Sequence, residues 1–254
     1  MNSRAVGLIE QEKKMKSIIA KFLSVASAAV IGCSAAGSAA AVSFDYVVLD
    51  PGHTPRTPGA ISAGNTPEHG FNIVFVRELA KALELEQIPY LISNVKNAEL
   101  SLTDRVKNTG KRALFISIHH DSVQPQYCNL NTSPCRTDYA SGYSLFVSKV
   151  NRNFRISKEI ASKIARALRQ SGLSPSVHHG EKIPNESKIL LDHNGVYQYD
   201  NLVVLKNASS PAILLEVAVI TNPQDERLAR NPRHRAKIIK AIVKTLREYI
   251  GFER

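Results

Sequence analysis

From Tyr46 onward, short β-branched runs alternate with amphipathic stretches, a pattern that fits little besides a mostly parallel sheet covered by helices. Tyr46-Val47-Val48-Leu49-Asp50 reads as a buried strand stopped by Pro51-Gly52. Phe71, Val74, Phe75, Leu79, Ala82 and Leu83 recur at helical spacing and predict a helix with one apolar face. Tyr90-Leu91-Ile92 and Leu114-Phe115-Ile116-Ser117-Ile118 follow as strands, the second apolar enough to be central. Residues 143–148, 202–205 and 212–217 supply three further strands. Ile156, Ile160, Ile164 and Leu168 mark a helix ended by Gly172, and Ile239, Ile242, Leu246 and Ile250 mark the last one. Asn222-Pro223 and Asn231-Pro232 each set a capping residue before a proline at the first helical position. Residues 173–201 show no period and are expected to form an irregular loop. The expected fold class is α/β: a single domain, its mostly parallel twisted sheet carrying helices on both faces.

Ahead of that body lies a segment of different character. Lys13-Lys14-Met15-Lys16 is a basic run, residues 22–31 are apolar, and residues 34–41 are small. Basic, then apolar, then small is the order of a secretory signal peptide, with Ala39-Ala40-Ala41 offering cleavage before Val42. Residues 1–41 are read as that signal, with translation starting at Met1 or Met15, and residues 42–254 as the exported catalytic-size domain. A retained membrane anchor is the alternative, although Ala and Ser make the run weakly hydrophobic. Val30-Ile31-Gly32-Cys33 resembles a lipobox, which would place a lipid on Cys33 and tether the chain to a membrane. In an oxidising compartment, Cys128 and Cys135 read as a loop-closing disulfide in a polar segment; two free thiols are the other reading.

The formal charge is +11, and +8 once residues 1–41 are set aside. A basic surface attracts polyanions, but no RNA-binding aromatic motif, Cys/His finger spacing or helix-turn-helix pattern accompanies it. Nucleic acid is therefore not expected as a partner. A monomer is expected.

Three residues of metal-ligating type fall where α/β sheets place their sites. His53 follows the first strand, His119 follows the third in Ile116-Ser117-Ile118-His119, and Glu68 precedes the first amphipathic helix. Two imidazoles and a carboxylate are a recurrent catalytic zinc set that leaves one position for water. Glu216, ending the apolar run Ala212-Ile213-Leu214-Leu215, is the candidate proton carrier, since burial would raise its pKa. Taken singly, each has a blander reading: a histidine after a strand is more often structural, and a strand-end glutamate is usually solvated. His120 should point away from its neighbour His119. His178 and His179 are expected in a solvated loop, with approach to the metal or to substrate as the alternative; His69 and His193 are read in the same way, and Arg105 and Arg77 are expected at the surface or in salt bridges.

Taken in order, Asp50-Pro51-Gly52-His53, Glu68 with Asn72, Ser117-Ile118-His119, and Leu215-Glu216 with Thr221-Asn222-Pro223 resemble the zinc-dependent N-acetylmuramoyl-L-alanine amidases. The likeness spans about residues 45–250. It implies Zn2+ held by His53, Glu68 and His119, with Glu216 as the catalytic glutamate. It also implies cleavage between the lactyl group of N-acetylmuramic acid and the L-alanine of the stem peptide. Phe71 and Val219-Ile220 depart from residues common in the family, and the segment around Cys128 and Cys135 reads as an insertion near the cleft. The resemblance makes peptidoglycan the expected substrate and the periplasm or cell envelope the expected location, with a protein activator as a further partner if one is needed. A zinc peptidase cutting within the stem peptide, or a non-catalytic wall-binding protein, are the competing expectations.

Overall fold

The computed structural model describes residues 42–250 apart from 108, 131 and 182–186. The expected signal peptide, the alternative start at Met15 and the lipobox Cys33 lie outside the described residues. Among those described, no helix is long and apolar enough to cross a membrane.

Seven strands form one sheet: β1 (Tyr46–Pro51), β2 (Tyr90–Ile92), β3 (Ala113–Asp121), β4 (Ser144–Val147), β5 (Ile189–Asp192), β6 (Val196–Gln198) and β7 (Ala212–Val219). Their order is β2-β1-β3-β7-β4-β6-β5. The pairs β1–β2, β1–β3, β3–β7 and β4–β6 are parallel, while β4–β7 and β5–β6 are antiparallel. β7 is the middle strand and β3 lies beside it; β3 is buried over most of its length, as an interior strand covered on both faces must be.

Alternation along the strands assigns each residue to one of two layers. Val47, Leu49, Leu114, Ile116, Ile213 and Leu215 face the larger core. It is closed by α1 (Glu68–Leu85), α3 (Phe154–Gln170) and α6 (Pro232–Leu246). Val48, Phe115, Phe146 and Leu214 face a smaller core with Val106 of α2 (Asp104–Lys107) and Val204 and Leu205 of α4 (Val203–Asn207). Helices thus cover both faces, as the sequence predicts. Asn222 caps α5 (Pro223–Arg230) by accepting from the amides of Gln224 and Asp225, and Asn231 caps α6 through Arg233. Each accepted bond satisfies a donor that the first helical turn cannot pair internally.

Two expectations fail. Residues 202–205 do not form a strand: Leu202 precedes helix α4 (Val203–Asn207), and Leu205 and Lys206 donate back to Leu202 O. Residues 173–201 hold the hairpin of β5 and β6, turned at Gly195 with φ +92°, plus a 3-10 turn at His178–Gly180. A hairpin at the sheet edge with β5 largely exposed carries too weak a hydrophobic alternation to be read from the chain alone.

Candidate metal centre

On the smaller-core face the strands change chemistry as they run toward their C-terminal ends. Val48 gives way to Asp50, Phe115 to Ser117 and His119, and Leu214 to Glu216. The apolar residues sit under the short helices, and the polar ones gather at the crest.

Asp50 anchors that crest. It is fully buried and accepts from Arg105 Nε (2.9 Å) and Nη2 (2.5 Å), Ser93 Oγ (2.6 Å) and Ser117 Oγ (2.7 Å). Arg105 also donates to Pro51 O. Four strong bonds offset the cost of burying the pair and hold the end of β1, from which His53 projects. Arg105 is therefore in a salt bridge, one of the two places expected for it.

His53, Glu68 and His119 converge although they come from three different elements. His53 Nε2 lies 2.9 Å from Glu68 Oε2, and His119 Nδ1 lies 3.0 Å from Glu68 Oε1. One ligand atom from each lies within 4.8 Å of the others. The imidazole rings meet edge to face, with centroids 4.9 Å apart. Glu68 opens α1, and its carboxylate also accepts from Asn72 Nδ2, the Ala60 amide and the His120 amide. Burial alone would push this carboxyl up; hydrogen bonds to, and charge on, His119 and His53 outweigh burial and hold it well below the usual range. A carboxylate kept ionised between two imidazoles, with the His53 side chain 31% exposed, is a donor set that could hold a divalent cation with one side open.

Two glycines make this approach feasible. A Cβ on Gly52 would stand 2.5 Å from the His119 ring, and one on Gly59 would stand 2.3 Å from Glu68 Oε2 and 2.6 Å from the His53 ring. Gly59 also has φ +80°, a conformation that side chains disfavour. His53 adopts φ +66° without being glycine, so the loop after β1 spends backbone strain to aim that ring. Gly59→Ala is expected to weaken divalent-metal binding by about tenfold or more, roughly 1.4 kcal/mol, measured by competition with a chelator. Gly70→Ala in α1, whose Cβ would meet only Thr66 at 4.0 Å, is expected to leave affinity unchanged.

Glu216 pairs in register with His119 on one side and Ser144 on the other, so it lies within β7 rather than at its end. Burial, then the Asp121 and Glu68 carboxylates, push its pKa well above the usual value. One of its oxygens, Oε2, is buried without a hydrogen-bond partner among the described residues. A carboxyl whose protonated form is favoured in this way is suited to taking up a proton and passing it on.

The expected bystanders divide. His120 points to the opposite layer, bonded to Asn72 Oδ1 and packed on Phe71 and Phe75, and burial lowers its pKa to about 3. His193 is exposed. His69, expected in solvent, is instead buried, its ring nitrogens 2.6 Å from Gly52 O and Asn97 Oδ1. That contact braces the same Pro-Gly turn. His178 and His179 are also packed inward, against Asp121, because the 3-10 turn lays them on the crest. Their adjacency in sequence was visible; the strand end they meet was not.

Cys128 and Cys135 are disulfide-bonded. With Pro125, Ser122, Thr221, Ala60 and Ile61 they line a groove of about 660 Å³. Tyr127 stacks on Tyr139, whose hydroxyl bonds Glu181, tying the disulfide segment to the loop after the 3-10 turn.

Fold and site together define a single-domain α/β protein with a two-histidine, one-carboxylate centre and a buried glutamate beside it. The family model described as N-acetylmuramoyl-L-alanine amidase matches residues 47–248, and the chain belongs to that family. LytH of Staphylococcus saprophyticus, named as a probable cell wall amidase, is 29% identical over 207 residues, covering 81% of this chain and 58% of that protein. AmiA of Salmonella typhimurium, an N-acetylmuramoyl-L-alanine amidase, is 26% identical, covering 80% and 75%. The chain thus spans just over half the length of LytH. Among solved structures, the amidase Ami1 of Mycobacterium smegmatis matches with a TM-score of 0.63 at 20% identity, over 82% of this chain and 97% of its own. The CwlD amidase of Clostridioides difficile, solved in complex with the GerS lipoprotein, matches at 0.58 and 18%, over 81% and 98%. At such identities these structures speak for the fold alone.

Proposed function

We propose that the protein is a zinc-dependent amidase that hydrolyses the bond between N-acetylmuramic acid and L-alanine in peptidoglycan. The observation that carries this is the convergence of His53, Glu68 and His119 on one point beside Glu216, in a chain of the amidase family. His53, Glu68 and His119 would hold the ion, and two imidazoles with one carboxylate suit Zn2+. When bound, such an ion polarises a carbonyl and acidifies water.

The remaining work falls to the chain. Glu216 takes a proton from the attacking water and delivers it to the amide nitrogen, without which the amine is a poor leaving group. Glu68, fixed by Asn72 and two backbone amides, keeps the imidazoles oriented. Asp50 and Arg105 hold the turn that carries His53. The groove beside the disulfide offers room for the part of the wall strand that flanks the scissile bond.

The substrate lies outside the cytoplasm, so residues 1–41 act as an export signal and the working form starts at Val42, or at a lipidated Cys33. N-terminal sequencing of protein recovered from the envelope decides between them. A protein activator is part of the same proposal; the CwlD amidase, which shares the fold, is solved in complex with the GerS lipoprotein.

Purified sacculi incubated with the enzyme are expected to release intact stem peptides with a free L-alanine amino group. Chelation should abolish release and Zn2+ should restore it. Release of stem-peptide fragments would point to a peptidase, and binding without release to a wall-binding protein; either would overturn the proposal.

A further inference from the structure

A second donor cluster stands apart from the first: Asp121, His178 and His179. Asp121 ends β3, and the two histidines share the 3-10 turn. His179 Nε2 lies 2.6 Å from Asp121 Oδ2, and His178 Nε2 lies 3.4 Å from that same oxygen. The imidazole rings lie close, with centroids 3.9 Å apart and planes tilted by 38°, and Ser176 Oγ, 2.7 Å from His178 Nδ1, sets the ring so that Nε2 faces the carboxylate. Asp121 Oδ1 is taken by the Ser122 amide, which leaves Oδ2 to the histidines. Phe146 and Tyr197 wall the cluster with ring contacts to His179.

Two features do not fit a simple ion pair. The His178 side chain is only 9% exposed, yet its Nε2 makes no hydrogen bond among the described residues. A buried polar atom left this way is costly unless something fills the gap. In addition, Asp121 at the end of β3, Glu216 within β7 and Glu68 at the start of α1 bring three carboxyl groups near one another.

We propose that Asp121, His178 and His179 form a second divalent-cation site, and that Lys188 is its built-in competitor. A tetrahedral ion with bonds of about 2.0–2.2 Å wants its donors about 3.3 Å apart. The His178–Asp121 spacing already meets this, and the His179–Asp121 pair must open by roughly 0.7 Å, a small ring rotation. The Ser176 hydroxyl can accept from His178 Nδ1, the outer-shell bond that fixes a ligating tautomer. Lys188 Nζ stands 3.3 Å from His179 Nδ1. Donation there keeps the proton of His179 on Nε2, where it bonds Asp121 and blocks a metal. Ligation through Nε2 requires the opposite tautomer and displaces the ammonium. Lysine and cation therefore exclude each other.

The test is a count of Zn2+ bound by the metal-free full chain titrated against a chromophoric chelator. Two equivalents are expected for the parent, one each for His53→Ala and His178→Ala, and none for the double variant. Lys188→Met is expected to tighten the weaker site by roughly tenfold or more, because a like charge is removed. That gain of affinity cannot come from misfolding, so it stands as support even if His178→Ala folds poorly. A single equivalent lost in His53→Ala but kept in His178→Ala, with no tightening in Lys188→Met, overturns the second site and leaves the proposed amidase intact. A single equivalent lost only in His178→Ala does the reverse.

Discussion

Replacing Glu216 with glutamine is expected to lower release of stem peptide on the order of 100- to 10,000-fold, with bound metal unchanged. The carboxyl sits in register beside His119, and no other group in the described site combines that position with a pKa raised by burial. His53→Ala should fail differently, losing the metal and the activity together. The same Glu216→Gln change is expected to stabilise the metal-free protein at neutral pH. A carboxyl whose folded pKa is raised holds a proton that the unfolded chain has already released. Parent stability therefore declines as pH rises above the ordinary glutamate value, and the variant escapes that decline. Melting temperatures of the two should approach each other as pH falls into the normal carboxylate range. Unchanged hydrolysis in the variant would remove Glu216 from proton handling. A variant that melts below the parent at pH 7 would refute the unfavourable burial.

Arg105→Ala is expected to cost about 3–5 kcal/mol of folding free energy, the range for removing one partner of a buried pair. Asp50 would remain fully buried with two serine hydroxyls for company. Against the roughly 5–15 kcal/mol that holds a domain together, such a loss brings the fold close to its limit. Arg105→Lys should rescue little, because one ammonium cannot reproduce the paired Nε and Nη2 bonds. Urea unfolding measures both variants, and a loss below about 1 kcal/mol for Arg105→Ala would show the pair to be no better than a surface ion pair. The double variant Asp50→Asn with Arg105→Ala should lose less than the sum of the two single changes, since neither buried charge is then left alone.

Strands β1, β3 and β7 and helices α1, α3 and α6 were legible because each carries a hydrophobic period strong enough to survive without its neighbours. The capped starts of α5 and α6 were legible too, since an Asn-Pro pair meets a local demand of the backbone. The β5–β6 hairpin was not: its strands are four and three residues long, and the pairing of β6 with β4 and of β5 with β6, rather than local pattern, makes them strands. Val203 and Val204 favoured a strand by propensity, yet they open a short helix that packs Val204 and Leu205 into the smaller core.

The site divides along the same line. His53, Glu68 and His119 were legible as residues of metal-ligating type close to strand ends and a helix start, and Glu216 as an acidic residue after an apolar run; that Glu216 lies inside β7 was not. The roles of Gly52 and Gly59, the burial of His69 and the meeting of Asp121 with His178 and His179 were not.

What the chain determined by itself was local: which segments bury a face, where helices start, and which polar residues interrupt apolar runs at their ends. What only the tertiary structure decided was which of those polar residues meet. Glu68 and His119 are 51 positions apart, and Asp121 and His179 are 58. Contacts at such separations depend on strand order, register and the glycines that let backbone and ring approach. Periodicity carries none of that, because it records only how each segment faces its core.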